Sequence, residues 1–184
     1  MRVITGKYRG RRLKGPRGFQ LRPTGDRLKE ALFSILEPRI AGAVLFDIFS
    51  GTGSIGIEAL SRGAAEVVFV EKDPGAVALI GHNLRLCGVD SGCTVIEDDA
   101  FRALRALARR GLRADIMFFD PPYDWRPYRD LLGLAFDPAL AFPETAVVIE
   151  HRRNAVVEES GVACTRYRLL RQGDACLSFF RRLP

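Results

Sequence analysis

The stretch Asp47–Leu60, "DIFSGTGSIGIEAL", carries Gly51, Gly53 and Gly56 in G-x-G-x-x-G spacing. It begins inside "AVLFDIF", an apolar run of strand length, and continues into "SIGIEALSRG", whose apolar spacing is that of a helix ended by Gly63. Glycines at a strand-to-helix turn let the chain reverse sharply and bring backbone N–H groups close to a ligand. The next run, "EVVFVE", reads as a strand ending in Glu71, 20 residues after Gly51, where a carboxylate can accept from ribose hydroxyls. Strand, glycine loop, helix, strand and acid in that order predict an α/β fold that binds a nucleoside.

Outward from this unit the alternation continues. "DPGAVALIGHNLRLCG" is predicted to be a helix with Asp73 as cap, Pro74 at its first position and Gly88 after its end. "CTVIE" is a strand, "AFRALRALARRG" a helix, "ADIMFFD" a strand, Tyr128 to Ala135 a helix, and "TAVVIEH" a strand. Near-continuous apolar strands alternating with helices imply a doubly wound, mostly parallel sheet covered on both faces. Upstream, "LRPTGDRLKEALFSILEP" offers Thr24 or Asp26 as the cap of a helix with Leu28, Ala31, Leu32, Ile35 and Leu36 on one face, stopped by Pro38. At the other end, "ACTRYRLLRQGDACLSFFRR" reads as an antiparallel hairpin turning at Gln172-Gly173-Asp174. Residues Arg2 to Leu13 partly alternate around Arg9-Gly10, as a short basic hairpin would.

The 184 residues suit one domain with a small appendage. No apolar run approaches the roughly 20 residues of a bilayer span, which argues against a membrane protein. The charged N-terminus "MRVITGKYRGRR" lacks the apolar segment of a secretory signal, so a cytoplasmic location is expected. Cys87, Cys93, Cys164 and Cys176 form no C-x-x-C pair and have no histidine at zinc-finger spacing, so four reduced thiols are expected rather than a metal site. The first 30 residues hold ten Lys or Arg against Asp26 and Glu30, whereas the rest hold 18 basic and 20 acidic groups. The formal net charge of +6 therefore arises entirely at the N-terminus. A basic arm over residues 1–23 that contacts a polyanion, joined to a catalytic domain over 24–184, is the natural division. A merely solvated arm is the alternative.

The glycine pattern alone fits either a dinucleotide or S-adenosylmethionine. Asp47 stands four residues before Gly51, where it would repel a pyrophosphate but attract a sulfonium or an amino group. A dehydrogenase also needs a second, substrate-holding region, for which little chain is left. Asp98-Asp99, at the end of the third strand, adds a candidate for an adenine amino group; a helix cap before "AFRAL" is the alternative, and fits Asp98 better than Asp99.

The fourth strand ends in "FFDPPYDW", Phe118 to Trp125. Ligands of an open α/β sheet bind beyond the carboxyl ends of the strands, so Asp120 should face the glycine loop. Each proline fixes φ and removes an N–H, leaving a stiff rim that offers acceptors only. Asp120 and the Pro121 carbonyl could hold the two hydrogens of an exocyclic amine and aim its nitrogen at a methyl donor, with Tyr123 stacked on an extruded base. Transfer would then be in line and would depend on positioning and electrostatics rather than a covalent intermediate.

These residues carry a family resemblance. "DPPY", Asp120-Pro121-Pro122-Tyr123, resembles the (Asp/Asn)-Pro-Pro-(Tyr/Phe) motif of amino methyltransferases. Together with "RVITGKYRGRRLKGP", "LRPTGDRLKEALFSIL", the glycine stretch, "NLRLCG" and "LSFFRR", it is similar to the bacterial RsmD-type small-subunit rRNA guanine-N2 methyltransferases. The resemblance implies a seven-stranded Rossmann-like sheet. It implies S-adenosylmethionine as cofactor, S-adenosylhomocysteine as product and no metal. The implied cofactor residues are Asp47, Phe49, Ser50, Gly51, Thr52, Gly53, Glu71, Lys72 and Asp99, with Thr24 in the Arg22-Pro23-Thr24 turn. It implies Asp120 to Tyr123 at the target amine, and Lys7, Arg9, Arg11, Arg12, Lys14 and Arg22 on RNA phosphates. The implied substrate is a guanine of small-subunit rRNA, usually guanine 966 in the family, within an assembling particle, acted on by a monomer. Gln172-Gly173 and Phe180 depart from the aromatic-glycine pair and terminal tyrosine common in the family, which affects RNA contacts from the last hairpin.

Other readings use the same residues. Asn-Pro-Pro-Tyr enzymes also methylate glutamine amides in proteins, and an RNA-binding assembly factor could retain the pocket without catalysis. A nicotinamide oxidoreductase would bind NAD instead. Trp125 is expected to cover the pocket edge or pack on the sheet, and His151 to be structural at a strand end.

Overall fold

In the computed structural model, which describes residues 1–15, 23–122 and 124–183 and only the backbone of Pro23 and Thr24, seven strands form one sheet. Helix α1 spans Pro23–Leu36, and a short 3-10 turn at Glu37–Arg39 leads to β1, Val44–Ile48. Then follow α2 (Ser54–Ser61), β2 (Glu66–Glu71), α3 (Pro74–Cys87), β3 (Cys93–Glu97), α4 (Ala100–Arg109) and β4 (Ala114–Phe119). The chain ends with α5 (Tyr128–Ala135), β5 (Ala141–Arg152), β6 (Cys164–Gln172) and β7 (Ala175–Arg182). The strand order is β3-β2-β1-β4-β5-β7-β6, with β1 to β5 parallel and β7 antiparallel to both β5 and β6.

Alternation along the strands divides the core. Leu45, Val67, Phe69, Ile116, Phe118 and Val148 pack with Leu28, Leu32, Phe33, Leu36, Ile57, Ile80 and Leu84 from α1, α2 and α3. Their strand neighbours Phe46, Val68, Met117, Phe119 and Val147 pack with Leu104, Leu107, Leu131 and Leu132 from α4 and α5. Both faces of the sheet are thus covered by helices, which accounts for strands that read as unbroken apolar runs. By this alternation Asp47 shares the face of Leu45.

One expectation changes in detail. Helix α1 begins at Pro23, ahead of both proposed caps, and it buries Phe33 and Lys29 while Ala31 and Ile35 remain half-buried. The N-terminal segment folds back on itself at an antiparallel bridge, Arg2 with Arg12, flanked by backbone bonds from Val3 N–H to the Arg11 carbonyl (3.0 Å), Gly10 N–H to the Val3 carbonyl (2.9 Å) and Leu13 N–H to the Met1 carbonyl (3.1 Å). It is docked on the domain through side chains far along the chain. Glu58 accepts from the N–H groups of Ile4 (2.7 Å) and Thr5 (3.0 Å), and Ser61 accepts from Tyr8 (2.9 Å). Asn83 accepts from Lys14 N–H at 2.9 Å and donates to the Lys14 and Thr52 carbonyls at 3.0 and 2.9 Å. Val3 and Leu13 enter the core, whereas Lys7, Arg9, Arg11, Arg12 and Lys14 stay exposed. Lys29, itself buried, donates to the Arg2 carbonyl at 2.7 Å and lies 3.5 Å from Glu58. Burial lowers the Lys29 pKa, and the Glu58 carboxylate opposes that shift.

Candidate active site

The strand order reverses between β1 and β4, and this places the sequence-distant strand ends side by side. Asp47 pairs in register with Phe69 on one side and Phe118 on the other, so the glycine loop after β1 lies between Glu71 and Asp120. The Asp120 N–H donates to the Ile48 carbonyl at 3.2 Å. Phe119 pairs with Ile149, which brings Glu150 next to Asp120. Asp47, Glu71, Asp120 and Glu150 therefore occupy four adjacent strand ends, and none has an ion-pair partner among the described residues.

Burial, and after it the neighbouring negative charge, raises the proton affinity of three of the groups. Asp47 is buried, and burial first, then Asp120 and Glu71, raise its pKa to about 8 against the opposing hydrogen bond from Gly56 N–H (2.9 Å). Asp120 is hemmed in by the other strand ends, and this desolvation, followed by Glu71, raises its pKa to about 7. Solvent nevertheless reaches the side chain, so it lines an open recess. Burial and then Asp120 raise Glu150 to about 8. A ligand with positive charge would relieve all three, and a pyrophosphate would be repelled.

The loop itself is held rigidly. Phe49 adopts φ 62°, which is costly for a residue with a side chain and persists only where its surroundings impose it. The imposing contacts come from Ser50: its N–H donates to Val70 (3.1 Å), its hydroxyl to the Asp47 carbonyl (2.5 Å), and Val70 N–H donates back to the hydroxyl (3.0 Å). Gly51 N–H donates to Glu71 Oε2 at 2.9 Å, while Glu71 Oε1 accepts from Lys72 and Asp73 N–H groups. Gly53, at φ 74°, caps α2. Gly51 has φ 54° and open space where a Cβ would stand, so its glycine is required by conformation and not by packing. At Gly56 a Cβ would meet Phe69 at 2.2 Å and Val67 at 2.7 Å, so that glycine serves helix–sheet packing.

The structure brings together most of the predicted residues and revises several roles. Asp99 is the N-cap of α4, its Oδ1 accepting from Phe101 (3.0 Å) and Arg102 (3.3 Å), while Asp98 pairs with Arg102, so the alternative cap role, which the sequence fits better to Asp98, falls on Asp99. Thr52 has its carbonyl held by Asn83, and Lys72 contributes only its backbone N–H to the contacts at Glu71. The Pro121 carbonyl meets no donor among the described residues, but the Pro122 carbonyl accepts from Trp125 N–H at 2.9 Å, so only part of the rim remains available. Tyr123, Arg22 and the Thr24 side chain lie outside the described residues. His151 is structural, bonded to Ser178 Oγ and the Arg152 carbonyl, both at 2.8 Å.

Two groups were missed in the sequence. Glu150 has the same signature as Asp47 and Glu71, an acid at the end of an apolar strand, and could have been found from it. Trp125 contacts Phe49 edge-on (5.7 Å), Phe101 nearly parallel (6.1 Å) and Tyr128 edge-on (5.1 Å), making an aromatic wall beside the glycine loop from three separate segments. Of its members the sequence singles out Trp125 and Phe49 but not Phe101 or Tyr128.

This arrangement of sheet, loop and acidic strand ends is that of the S-adenosylmethionine-dependent methyltransferase fold. A methyltransferase of that description from Agrobacterium tumefaciens superposes with a TM-score of 0.68 at 18% identity, over 95% of this chain and 66% of that one. The solved structure of yhhF from Escherichia coli matches more closely, with a TM-score of 0.85 and 30% identity over 100% of this chain and 98% of that one. The family described as Conserved hypothetical protein 95 matches residues 1–181. Ribosomal RNA small subunit methyltransferase D of Escherichia coli is 34% identical over 150 residues, 82% of this chain and 74% of that protein. The chain belongs to the RsmD family of methyltransferases.

Proposed function

We propose that the protein transfers a methyl group from S-adenosylmethionine to the exocyclic N2 of a guanine in small-subunit rRNA, at the position usual for the family, during subunit assembly in the cytoplasm. The observation that carries this reading is the pair of acceptors at the end of β4, the Asp120 carboxyl and the Pro121 carbonyl, which meet no donor among the described residues and lie across from the Gly51 loop. Bound against that loop, S-adenosylmethionine supplies an electrophilic methyl on a sulfonium. Asp47, Glu71, Asp120 and Glu150 provide the field that favours the cation, and Gly51 leaves room for its approach. The Trp125 wall offers an apolar surface for a purine ring.

Asp120 and the Pro121 carbonyl accept the two amine hydrogens and direct the nitrogen lone pair at the methyl carbon. The N–C bond forms as the S–C bond breaks, its electron pair remaining on sulfur. One amine proton then leaves, and a carboxylate with a pKa near 7 is suited to take it at neutral pH. Lys7, Arg9, Arg11, Arg12 and Lys14, exposed on a segment bolted to α2 and α3, would hold RNA phosphates beside the recess. Residues 1–23 serve as the RNA arm of a monomer whose catalytic unit is 24–184.

The test is to incubate the protein with methyl-labelled S-adenosylmethionine and small-subunit particles from cells lacking the enzyme, then identify the labelled nucleoside by mass spectrometry. N2-methylguanosine that disappears with Asp120→Ala, while cofactor affinity changes little, is expected. Full activity in that variant would refute the role of Asp120, and label in a protein glutamine would replace the RNA acceptor.

A further inference from the structure

A cavity of about 380 Å3 separates the N-terminal segment from α1. Among the described residues, its walls carry Arg2 and Arg9 from the segment and Arg27 from α1, with Asp26 and Glu30 from the same helix and an apolar floor of Val3 and Ile4. None of the three guanidinium groups is in an ion pair among the described residues, although two carboxylates line the same space. Asp26 acts electrostatically on Lys29, behind the cavity, without forming a close pair. Cations and anions thus remain separated around a space large enough for a mononucleotide.

We propose that this cavity is a second nucleotide site, which takes a guanine nucleotide of the RNA other than the one methylated. A guanidinium only donates and suits a phosphate, whereas an ionised carboxylate only accepts. Asp26 and Glu30, one helical turn apart, present acceptors to adjacent donors on a base edge. Guanine, with N1–H beside its N2 amino group, offers adjacent donors; adenine and cytosine place an acceptor next to the amino group, and uracil has a single N–H between acceptors. Ile4, half-buried, supplies a surface for the ring face. The other side of α1 borders the strand-end acids, because Gly25, Leu28 and Lys29 line a small cavity that Glu150 also lines. A nucleotide held on the arm side of α1 is therefore a helix width from the recess, a separation that nucleotides of one folded RNA can span.

This inference rests on RNA being the substrate, and its test is separable from that reading. Isotope-labelled protein saturated with S-adenosylhomocysteine would be titrated with the 5′-monophosphates of guanosine, adenosine, cytidine and uridine, following the amides of Arg2, Gly10, Arg27 and Glu30 by NMR. Guanosine monophosphate should bind there at least about tenfold more tightly than the other three. The double variant Asp26→Ala, Glu30→Ala, which removes both acceptors, should abolish that preference while retaining weak binding of all four, and Arg27→Ala should weaken all four together. The same spectra report whether each variant is folded. Equal affinities in the wild type, or shifts confined to Gly51 and Asp120, would overturn the proposal. Methyl transfer to rRNA without guanine selectivity at these amides removes the cavity site alone. Selective binding without any transfer to RNA removes the acceptor assignment and leaves a guanine nucleotide site.

Discussion

Replacing Asp47 with Asn should make the cofactor-free protein less sensitive to rising pH. The carboxyl of Asp47 is pushed up to about 8 in the folded state, chiefly by burial, from its ordinary value of 3.8. Below 3.8 both states hold the proton and the group contributes nothing to the pH dependence. Between those values the folded protein keeps a proton that the unfolded chain has released, so stability falls as pH rises, by about 1.36 kcal/mol per unit. Above about 8 both states are ionised and the loss is complete. Between pH 5 and pH 7 the wild type should therefore lose about 2.7 kcal/mol more than Asp47→Asn. The amide oxygen of Asn can still accept from Gly56 N–H, so the loop anchor survives the change. Urea unfolding at pH 5, 6 and 7 would reveal it as a gap in midpoints that widens by about 1–3 M, given m-values of about 1–3 kcal/mol/M. Parallel curves for the two proteins would refute the reasoning, since they would mean that Asp47 is already ionised in the folded state.

Four further outcomes follow from the same geometry. Because Asp120 must be a carboxylate to accept from the amine, kcat/KM for RNA should rise through about pH 7, and Asp120→Asn should abolish that inflection along with most of the turnover. Gly56→Ala should cost about 1–3 kcal/mol of stability through the collision with Phe69 and Val67, whereas Gly51→Ala should cost about 1–2 kcal/mol of backbone strain and weaken S-adenosylhomocysteine binding, as calorimetry would show. Glu58→Ala leaves Lys29 buried without its carboxylate and frees the N–H groups of Ile4 and Thr5; a loss of roughly 3–5 kcal/mol is expected, with faster proteolysis of the first 15 residues. Charge reversal at Arg9, Arg11 and Arg12 should raise KM for RNA more than it lowers kcat and flatten the salt dependence of binding; the opposite split would argue against phosphate contacts by this segment.

What the amino-acid order determined by itself was local or carried by short spacing. Apolar runs, glycines at the β1–α2 turn, Asp73 with Pro74 and Gly88 around α3, and the Asp120-Pro121-Pro122 rim are each legible within a dozen residues, because periodicity, φ restriction and capping are short-range effects. Tertiary structure alone decided which strands are neighbours. The order β2-β1-β4-β5 gathers Glu71, Asp47, Asp120 and Glu150 into one field, and the proton affinities of these groups depend on that proximity and on desolvation, which no single segment encodes. The same holds for the N-terminal segment: its basic residues are visible in the sequence, but its anchors lie more than 50 positions away at Glu58, Ser61 and Asn83. Asp99 shows the limit most plainly, since the sequence offers two adjacent carboxylates for one cap, and only the path of the chain into α4 selects the oxygen that reaches the Phe101 N–H.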